Sequence, residues 1–439
     1  MFFCKGFSLP EPFASSQYPR RSSGLERGVK NSVARALAGG MFLAGGIMLC
    51  AASAPEKKFD FGLGAPRPGW RQVTTTHFYS DTTGFGFEPG AEIIAGTNFV
   101  TSDRPFYFSV KEPEGNYRVT ATFAGESTVT VKAELRRLML EKIHTPAGKF
   151  TTRSFIVNVR TPKIRGDGQV RLKPRERSNE RWAWDDKLTL EFNGRHPSLC
   201  ALQIVPVKVP TVFILGDSTV CDQPDEPWAS WGQMLPRFFQ PDIAIANHAE
   251  SGETIADSLA AGRFAKVFSL MKPGDYLFVQ FGHNDMKNKR PDALEIYQAD
   301  LQKVVEQTRK LGGTPVLVTS MERKAGVNAP TLMGYPDAVR RVAQAEHVSL
   351  IDLNAMSLRF YRALGTNLDL AFVDGTHHTD YGACELAQCV VEGIREDNLP
   401  LAKFIVKDFR GFDPAHPDDP HTFQMAVSPA SSTVKPLGD

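Results

Sequence analysis

Hydrophobic and polar residues alternate with a period of two along much of the chain between about Lys57 and Lys208. In the stretch 117–123, Tyr, Val, Ala and Phe are separated by Arg and Thr, and the stretch 188–192 repeats the pattern. Such alternation is typical of strands with one buried face. Further strands are expected at 84–88, 106–110, 128–135, 154–159 and 202–207, with Gly, Pro and Asp turns between them. The pattern predicts an all-β sandwich.

The pattern changes after Val209-Pro210, where apolar runs alternate with helix-like segments. Strands are expected at 211–215, 243–247, 276–281, 315–319 and 349–353, and the segments 296–311 and 336–347 have the length of crossover helices. Runs joined in this way predict an α/β fold, with a five-stranded parallel sheet and helices on both faces. From about Gly411 onward Pro, Asp, His and Ser dominate, so an irregular tail is expected over 411–439.

The first 54 residues carry six Lys/Arg against two Asp/Glu and end in an uncharged stretch, 36–54, rich in Ala, Leu, Met and Phe. The small residues at 51–54 are typical of a cleaved export signal, so a periplasmic or secreted protein is expected. A retained membrane anchor is the alternative, because the stretch has roughly the length that a bilayer requires. The predicted organisation is a leader over 1–54, a sandwich domain over 55–208, an α/β domain over 209–410 and the tail.

Composition narrows the functional classes. A length of 439 residues with 42% hydrophobic content suffices for two cores. The formal charge is +2, and because the leader contributes +4, the rest of the chain carries −2 and is not expected to bind nucleic acid. Outside the leader, Cys200, Cys221, Cys384 and Cys389 are too few for a disulfide scaffold and lack the spacing of a zinc site. The sequence leaves open whether two distant cysteines form a disulfide.

A candidate nucleophile follows the first strand of the second domain, which runs directly into Gly216-Asp217-Ser218. Open α/β sheets bind ligands at the carboxyl ends of their strands, where this serine is expected. A serine in that position is also a common N-terminal cap of a helix, so Ser218 by itself does not identify a catalytic site.

A serine nucleophile needs a histidine that a carboxylate orients, and the sequence supplies such a pair as Asp374-x-x-His377. If Gly375 permits a tight turn, Asp374 reaches one ring nitrogen of His377 and leaves the other to face Ser218. The doublet of His377 and His378 could instead belong to a metal site or a solvated loop, but the further ligands of a catalytic metal are not apparent.

Acyl transfer also needs hydrogen-bond donors directed at the developing oxyanion. Two loops after later predicted strands offer them, because Gly252 has an unobstructed backbone NH and Asn284 has a side-chain amide. Either residue alone would be interpreted as part of a turn.

Taken together, these blocks resemble those of SGNH (GDSL) hydrolases in kind and order, namely Gly216-Asp217-Ser218, Gly252, Gly282-His283-Asn284-Asp285 and Asp374-x-x-His377. The variant Gly-Asp-Ser-Thr-Val, followed by Trp231-Gly232-Gln233, is most similar to rhamnogalacturonan acetylesterases and related bacterial carbohydrate esterases. The resemblance covers about 211–397 and implies a flavodoxin-like fold. The preceding region is similar to galactose-binding-like sandwich modules in front of some of these enzymes.

The resemblance implies a serine esterase in which Ser218 is the nucleophile and His377 is the general base and acid, oriented by Asp374. The NH of Ser218, Gly252 and Asn284 would form the oxyanion hole. No cofactor and no metal are implied. The implied reaction removes O-acetyl groups from a polysaccharide or oligosaccharide, above all rhamnogalacturonan or pectin, through an acyl-enzyme. A lipase or thioesterase acting on longer acyl chains and a non-catalytic carbohydrate-binding protein are the alternatives.

The roles expected of several further histidine and tryptophan residues are as follows. His283 is implied to support the loop of Asn284, and His378 has no assigned role. Trp228, expected beside Trp231 on one helix, would either stack on sugar rings or lie in the core. Trp182 and Trp184 would either bind glycan or fill the sandwich or the domain interface. No membrane partner is expected unless the leader is retained.

Overall fold

The computed structural model describes residues 55–437, so the predicted leader lies outside the described range. The described residues form one compact unit. The domain boundary between residues 208 and 209 stays a prediction. The first part is all-β, as the alternation predicts. Its strands are β1 (Lys57–Phe61), β2 (Arg71–Val73), β3 (Phe85–Phe87), β4 (Ile94–Ala95), β5 (Val100–Thr101), β6 (Phe106–Lys111), β7 (Gly115–Ala124), β8 (Ser127–Ala133), β9 (Arg137–Thr145), β10 (Phe150–Val159), β11 (Lys187–Arg195), β12 (Ser198–Leu199) and β13 (Ala201–Pro206).

Two five-stranded sheets of this part, in the orders β10-β7-β13-β1-β2 and β3-β6-β11-β8-β9, pack face to face, with a smaller sheet β12-β5-β4 beside them. The strands within each sheet pair antiparallel apart from β1 and β2, which are parallel. Phe59 and Val119 from one sheet meet Phe108 and Leu190 from the other in a fully buried core. Burial of alternate residues is the reason for the period of two in the sequence.

The second part is an all-parallel α/β fold. Its sheet has the order β15-β14-β16-β17-β18, in which the first strand in sequence lies between the second and the third. This is the flavodoxin-like order that the resemblance implies. The strands are β14 (Thr211–Gly216), β15 (Ala244–Asn247), β16 (Tyr276–Gln280), β17 (Thr314–Val318) and β18 (Ser349–Ile351), and the helices are α1 (Trp231–Met234), α2 (Ile255–Ala260), α3 (Arg263–Leu270), α4 (Ala293–Lys310), α5 (Tyr335–Ala345), α6 (Leu353–Leu364) and α7 (Asp380–Glu396).

Helices cover both faces of this sheet, which confirms the sequence prediction. Val212 and Ile214 of β14 point into a core shared with α1, α6 and α7, whereas Phe213 and Leu215 point into a second core shared with α2 to α5. Both faces of the strand are apolar because both are buried, and this explains the continuous apolar runs.

Two local expectations are wrong. The strand predicted at 349–353 ends at Ile351, because the Asp352 carboxylate accepts the NH of Ala355 and thereby caps α6, which begins at Leu353. Trp228 does not share a helix with Trp231, since α1 begins only at Trp231.

The C-terminal residues 411–437 contain neither helix nor strand, and Ser431 forms an isolated bridge with Glu226. Cys200, Cys221, Cys384 and Cys389 are buried free thiols. Within residues 55–437, no helix is both long and apolar enough to cross a bilayer.

Candidate active site

Ser218 lies at the point where the order of strands in the parallel sheet reverses. The chain leaves β14 toward β15 on one side, whereas β16 lies on the other, so a crevice opens beyond the carboxyl ends of β14 and β16. Ser218 follows β14, and the loop 282–285 follows β16. Gly216 is required in this turn, because a Cβ there would lie 2.7 Å from the carbonyl oxygen of Gln280.

The turn that carries Ser218 is fixed by its buried neighbour Asp217. Asp217 Oδ1 accepts the backbone NH of Thr219 at 2.9 Å and its hydroxyl at 2.8 Å, and Asp217 Oδ2 lies 3.3 Å from Nδ1 of His283. Burial alone would favour the neutral carboxyl, but the neighbouring His283 and the bonds from Thr219 hold the pKa of Asp217 below its usual value. Because Nε2 of His283 also lies 3.0 Å from the Met321 carbonyl, His283 ties the serine turn to the loop after β17.

The structure brings Ser218, His377 and Asp374 into one hydrogen-bonded line. Ser218 Oγ lies 2.9 Å from Nε2 of His377, and Nδ1 of His377 lies 3.0 Å from Oδ2 of Asp374. A carboxylate can only accept, so Nδ1 carries the proton and Nε2 is left to accept from the serine hydroxyl. Ser218 is 3% exposed and His377 is 2% exposed. This arrangement can deprotonate Ser218 as its oxygen attacks a carbonyl.

The loop of Asp374 is held by its own carboxylate. Asp374 Oδ1 accepts the backbone NH groups of Thr376 and His377, each at 2.7 Å. Although partial burial acts in the opposite direction, these bonds and the one to the imidazole hold the pKa of Asp374 far below its usual value. Gly375 lies in the tight turn between Asp374 and His377, but it does not have a positive φ and a Cβ there would meet nothing, so the turn does not depend on glycine. The loop ends at Thr379, whose side chain accepts the backbone NH of Gly382 and thereby caps α7.

The two further candidates, Gly252 and Asn284, lie in loops tied to each other. Asn284 Nδ2 donates to the carbonyl of Glu253 at 3.1 Å, and Lys287 Nζ donates to Asn284 Oδ1 at 3.1 Å, which fixes the orientation of the amide. One hydrogen of Nδ2 is left for another acceptor. Gly252 has a φ of +75°, a conformation that favours glycine.

Gln223 connects these loops to the serine and was not singled out by sequence reasoning. Its Nε2 donates to the Ser218 carbonyl at 2.7 Å and lies 3.3 Å from Ser251 Oγ. A lone glutamine in a loop carries no sequence signal, because its role depends on residues far away in the chain.

Trp228 is predicted either to stack on sugars or to lie in the core, and the structure places it against His377. It is 5% exposed, and its ring stands edge-on to that of His377 with centroids 5.7 Å apart. Its Nε1 donates to the carbonyl of Ser432 at 2.9 Å. The indole therefore packs one side of the imidazole and limits its rotation.

His378, to which the sequence assigned no role, is a core residue. It is fully buried, and its Nε2 lies 2.9 Å from the hydroxyl of Tyr361. Burial lowers the pKa of His378 to about 3, with the neighbouring His377 acting in the same direction, so the ring is neutral. Among residues 55–437, no group of three or more His, Cys, Asp or Glu side chains is arranged to hold a metal ion.

The long loop between β10 and β11 brings the all-β part to this site. Lys173 Nζ lies 2.7 Å from Glu253 Oε1, and Arg175 Nη2 lies 2.6 Å from Glu250 Oε1, so both cations hold the loop that carries Gly252. Trp184, from the same connection, is 6% exposed and lies in a small cluster of apolar side chains, with its ring 6.0 Å from that of His248. Trp184 thus fills the junction between the two parts, while Trp182 packs against Tyr107.

Comparison with known proteins shows which family and which relatives this chain is similar to. Residues 214–383 match the GDSL-like lipase/acylhydrolase family. The chain is 35% identical over 217 residues to the rhamnogalacturonan acetylesterase RhgT of Bacillus subtilis, covering 94% of that protein and 44% of this one. It is also 26% identical over 385 residues to the uncharacterized esterase YxiM of Bacillus subtilis, covering 96% of that protein and 82% of this one.

A solved structure of YxiM from Bacillus subtilis aligns with 79% of this chain and 99% of its own, with 24% identity and a TM-score of 0.44. The relationship to RhgT extends over nearly the whole of that protein, and the matched family region contains Ser218, Gly252, Asn284, Asp374 and His377. The chain belongs to the GDSL-like lipase/acylhydrolase (SGNH) family and is an esterase of that family.

Proposed function

We propose that this esterase removes O-acetyl groups from an acetylated plant cell-wall polysaccharide, with rhamnogalacturonan or a related pectin as its main substrate. The line from Ser218 through His377 to Asp374 is the observation that carries the chemistry. The identity of 35% to a rhamnogalacturonan acetylesterase supports the choice of substrate.

The proposed reaction has two acyl-transfer steps. Ser218 Oγ attacks the acetyl carbonyl while Nε2 of His377 takes its proton, and the imidazolium then protonates the departing sugar oxygen. Acetyl-Ser218 remains. Water attacks this ester with His377 as base, the bond to Oγ breaks, and acetate leaves as the serine regains its proton. The chemistry requires no cofactor.

The proposed oxyanion hole consists of the NH of Ser218, the NH of Gly252 and the amide of Asn284. Lys287 holds the oxygen of that amide, so its nitrogen faces the loop of Gly252. A donor oriented before the reaction stabilises charge that develops only in the transition state.

Acetate release from a panel of acetylated polymers tests the substrate. We expect rhamnogalacturonan to release acetate faster than acetylated xylan or acetylated homogalacturonan, and Ser218→Ala to release none. A preference for xylan would contradict the proposed substrate. Faster hydrolysis of aryl octanoate than of aryl acetate would instead favour the lipase or thioesterase alternative, and binding of polymers without any hydrolysis would favour a carbohydrate-binding protein.

We also propose that residues 1–54 direct export of the enzyme. The net charge of +4 ahead of the uncharged stretch 36–54 supports this proposal. Expression of the full chain, fractionation and N-terminal sequencing test it. A shortened enzyme in the periplasm or medium is expected, whereas an intact N-terminus in the membrane fraction would favour the anchor.

A further inference from the structure

Residues 427–437 cross the site, and we call them the C-terminal strap. The strap begins in a buried polar network. Lys132 Nζ donates to Ser428 Oγ at 2.8 Å, Ser428 Oγ donates to Glu191 at 2.9 Å, and the Ser428 NH donates to Glu226 at 2.9 Å. Lys132 and Glu191 belong to the all-β part, whereas Glu226 precedes α1. This network, which we call the anchor, therefore joins the strap to the all-β part and to the segment before α1. Buried charges bonded in this way hold the strap firmly.

Beyond the anchor the strap runs beside the segment of Trp228. The Glu226 NH donates to the Ala430 carbonyl at 2.9 Å, and the Ser432 NH donates to the Glu226 carbonyl at 2.9 Å. Trp228 Nε1 adds its bond to the Ser432 carbonyl at 2.9 Å. The indole that packs against His377 is therefore held in place by the strap.

The strap then reaches two of the residues proposed for catalysis. Lys435 Nζ lies 3.6 Å from Oδ2 of Asp374. A Cβ on Gly252 would lie 3.0 Å from Cβ of Leu437, so Leu437 packs directly over this glycine. The strap thus spans the site from the carboxylate of the Asp–His pair to a proposed oxyanion donor.

A cleft of about 460 Å³ opens between the strap and the loop between β10 and β11. Its walls come from residues 173–180, residues 223–228 and residues 432–437. Lys173 and Arg175 are held by Glu253 and Glu250, so the wall formed by residues 173–180 is fixed. The apolar residues that line the cleft are Pro174, Pro224, Trp228, Val434, Pro436 and Leu437, and polar and charged residues of the same three segments line it as well.

We propose that this cleft holds the alcohol part of the ester, and that Val434, Lys435 and Leu437 of the strap contact this alcohol and thereby determine which esters are bound best. Only the identity of that alcohol as a sugar rests on the proposed function. A volume of this size, lined by both apolar and polar side chains, suits a sugar ring whose C–H faces pack on the apolar residues and whose hydroxyls bond to the polar ones. Val434 is 76% exposed and Leu437 is 50% exposed, so both are available to a ligand.

The test compares the double variant Val434→Ala/Leu437→Ala with the matched control Val427→Ala. Val427 lies on the same strap and is 65% exposed, but it is not part of the cleft. Kinetics are measured with phenyl acetate, the bulkier 1-naphthyl acetate and an acetylated oligosaccharide, together with the melting temperature. In the double variant we expect KM to rise about five- to tenfold more for the two large alcohols than for phenyl acetate, with kcat changed less than KM.

Each other outcome contradicts the proposal. Equal changes in KM for all three esters, or no change in KM, would show that the strap does not contact the alcohol part of the ester. A rise in kcat/KM for every ester would show that the strap is a cover that restricts access to the site. An equal fall in kcat/KM for every ester, together with a lowered melting temperature, would show that the strap has only a structural role. If no carbohydrate ester is hydrolysed by the parent enzyme, the proposed function fails, while the ratio of naphthyl to phenyl acetate still decides the role of the strap.

Discussion

Asp374 and His377 are joined twice, because Oδ2 of the carboxylate lies 3.0 Å from Nδ1 of the ring and Oδ1 accepts the backbone NH of the same histidine at 2.7 Å. The carboxylate thereby fixes both the backbone and the tautomer of the histidine. Its strongly lowered pKa means that it is ionised over the whole range in which such an enzyme is assayed.

Asp374→Asn should keep the shape of the loop but lose the orienting charge. We expect kcat to fall by about 10³- to 10⁴-fold, because an amide can donate to Nδ1 and so favour the wrong tautomer. The measurement is kcat on aryl acetate with the melting temperature as control. A loss of less than about tenfold would mean that Asp374 does not orient the histidine in catalysis.

Ser218→Ala should abolish turnover and leave the fold intact, since the small hydroxyl contributes little packing. Circular dichroism and melting temperature check the fold, and aryl acetate hydrolysis checks turnover. A serine-directed organophosphate should label the parent enzyme at Ser218 and not the variant. Residual hydrolysis at a rate comparable to the parent would show that another residue is the nucleophile.

Asn284→Ala should lower kcat by about a hundredfold to a thousandfold, with a smaller effect on KM, because its amide acts on charge that develops in the transition state. The bond from Nδ2 to the Glu253 carbonyl gives the residue a structural contact as well. Kinetics and melting temperature are therefore measured on the same preparations. Unchanged kcat would exclude Asn284 from the oxyanion hole, and a change in KM alone would make it a binding residue.

Incubation with a chelator should leave the activity unchanged, because Asp374 and His377 contact each other and the serine in the arrangement of an acid–base pair. Dialysis against EDTA followed by an aryl acetate assay is sufficient. Activity that is lost on chelation and restored by added metal would overturn the proposed mechanism.

Glu134→Gln should change how stability depends on pH. Glu134 is buried, and burial raises its pKa to about 8, although Arg137 acts in the opposite direction. The folded state then binds a proton that the unfolded state has released, so this group makes stability fall between pH of about 4.3 and about 8. Glutamine keeps the oxygen that accepts the Thr189 NH at 3.1 Å and has no charge to bury.

We therefore expect the variant to be more stable than the parent at about pH 8 and to lose most of that advantage at about pH 5, near the lower end of this range. Denaturant unfolding at the two values measures the difference. An equal difference between variant and parent at both pH values would show that Glu134 does not titrate as its burial implies.

The sequence by itself determined the features that depend on residues close together in the chain. Burial of one strand face gives a period of two, burial of both faces gives an apolar run, and these patterns predict both parts of the fold. Asp374 and His377 lie three residues apart, so their pairing is a local turn that the spacing predicts. The end of β18 was missed, because a single aspartate at 352 caps the next helix and outweighs the apolar pattern.

Only the tertiary structure decided which distant residues meet. Trp228 is bonded to Ser432, 204 positions away, and the apparently irregular tail crosses the site near Asp374 and Gly252. His283 contacts Asp217, 66 positions away in the chain, and thereby supports the serine turn. The residues around His283 in the sequence do not predict this contact. These contacts are set by the packing of three separate parts of the chain. No periodic pattern in the local sequence predicts these contacts, because the free energy that stabilises them comes from burial in the folded protein.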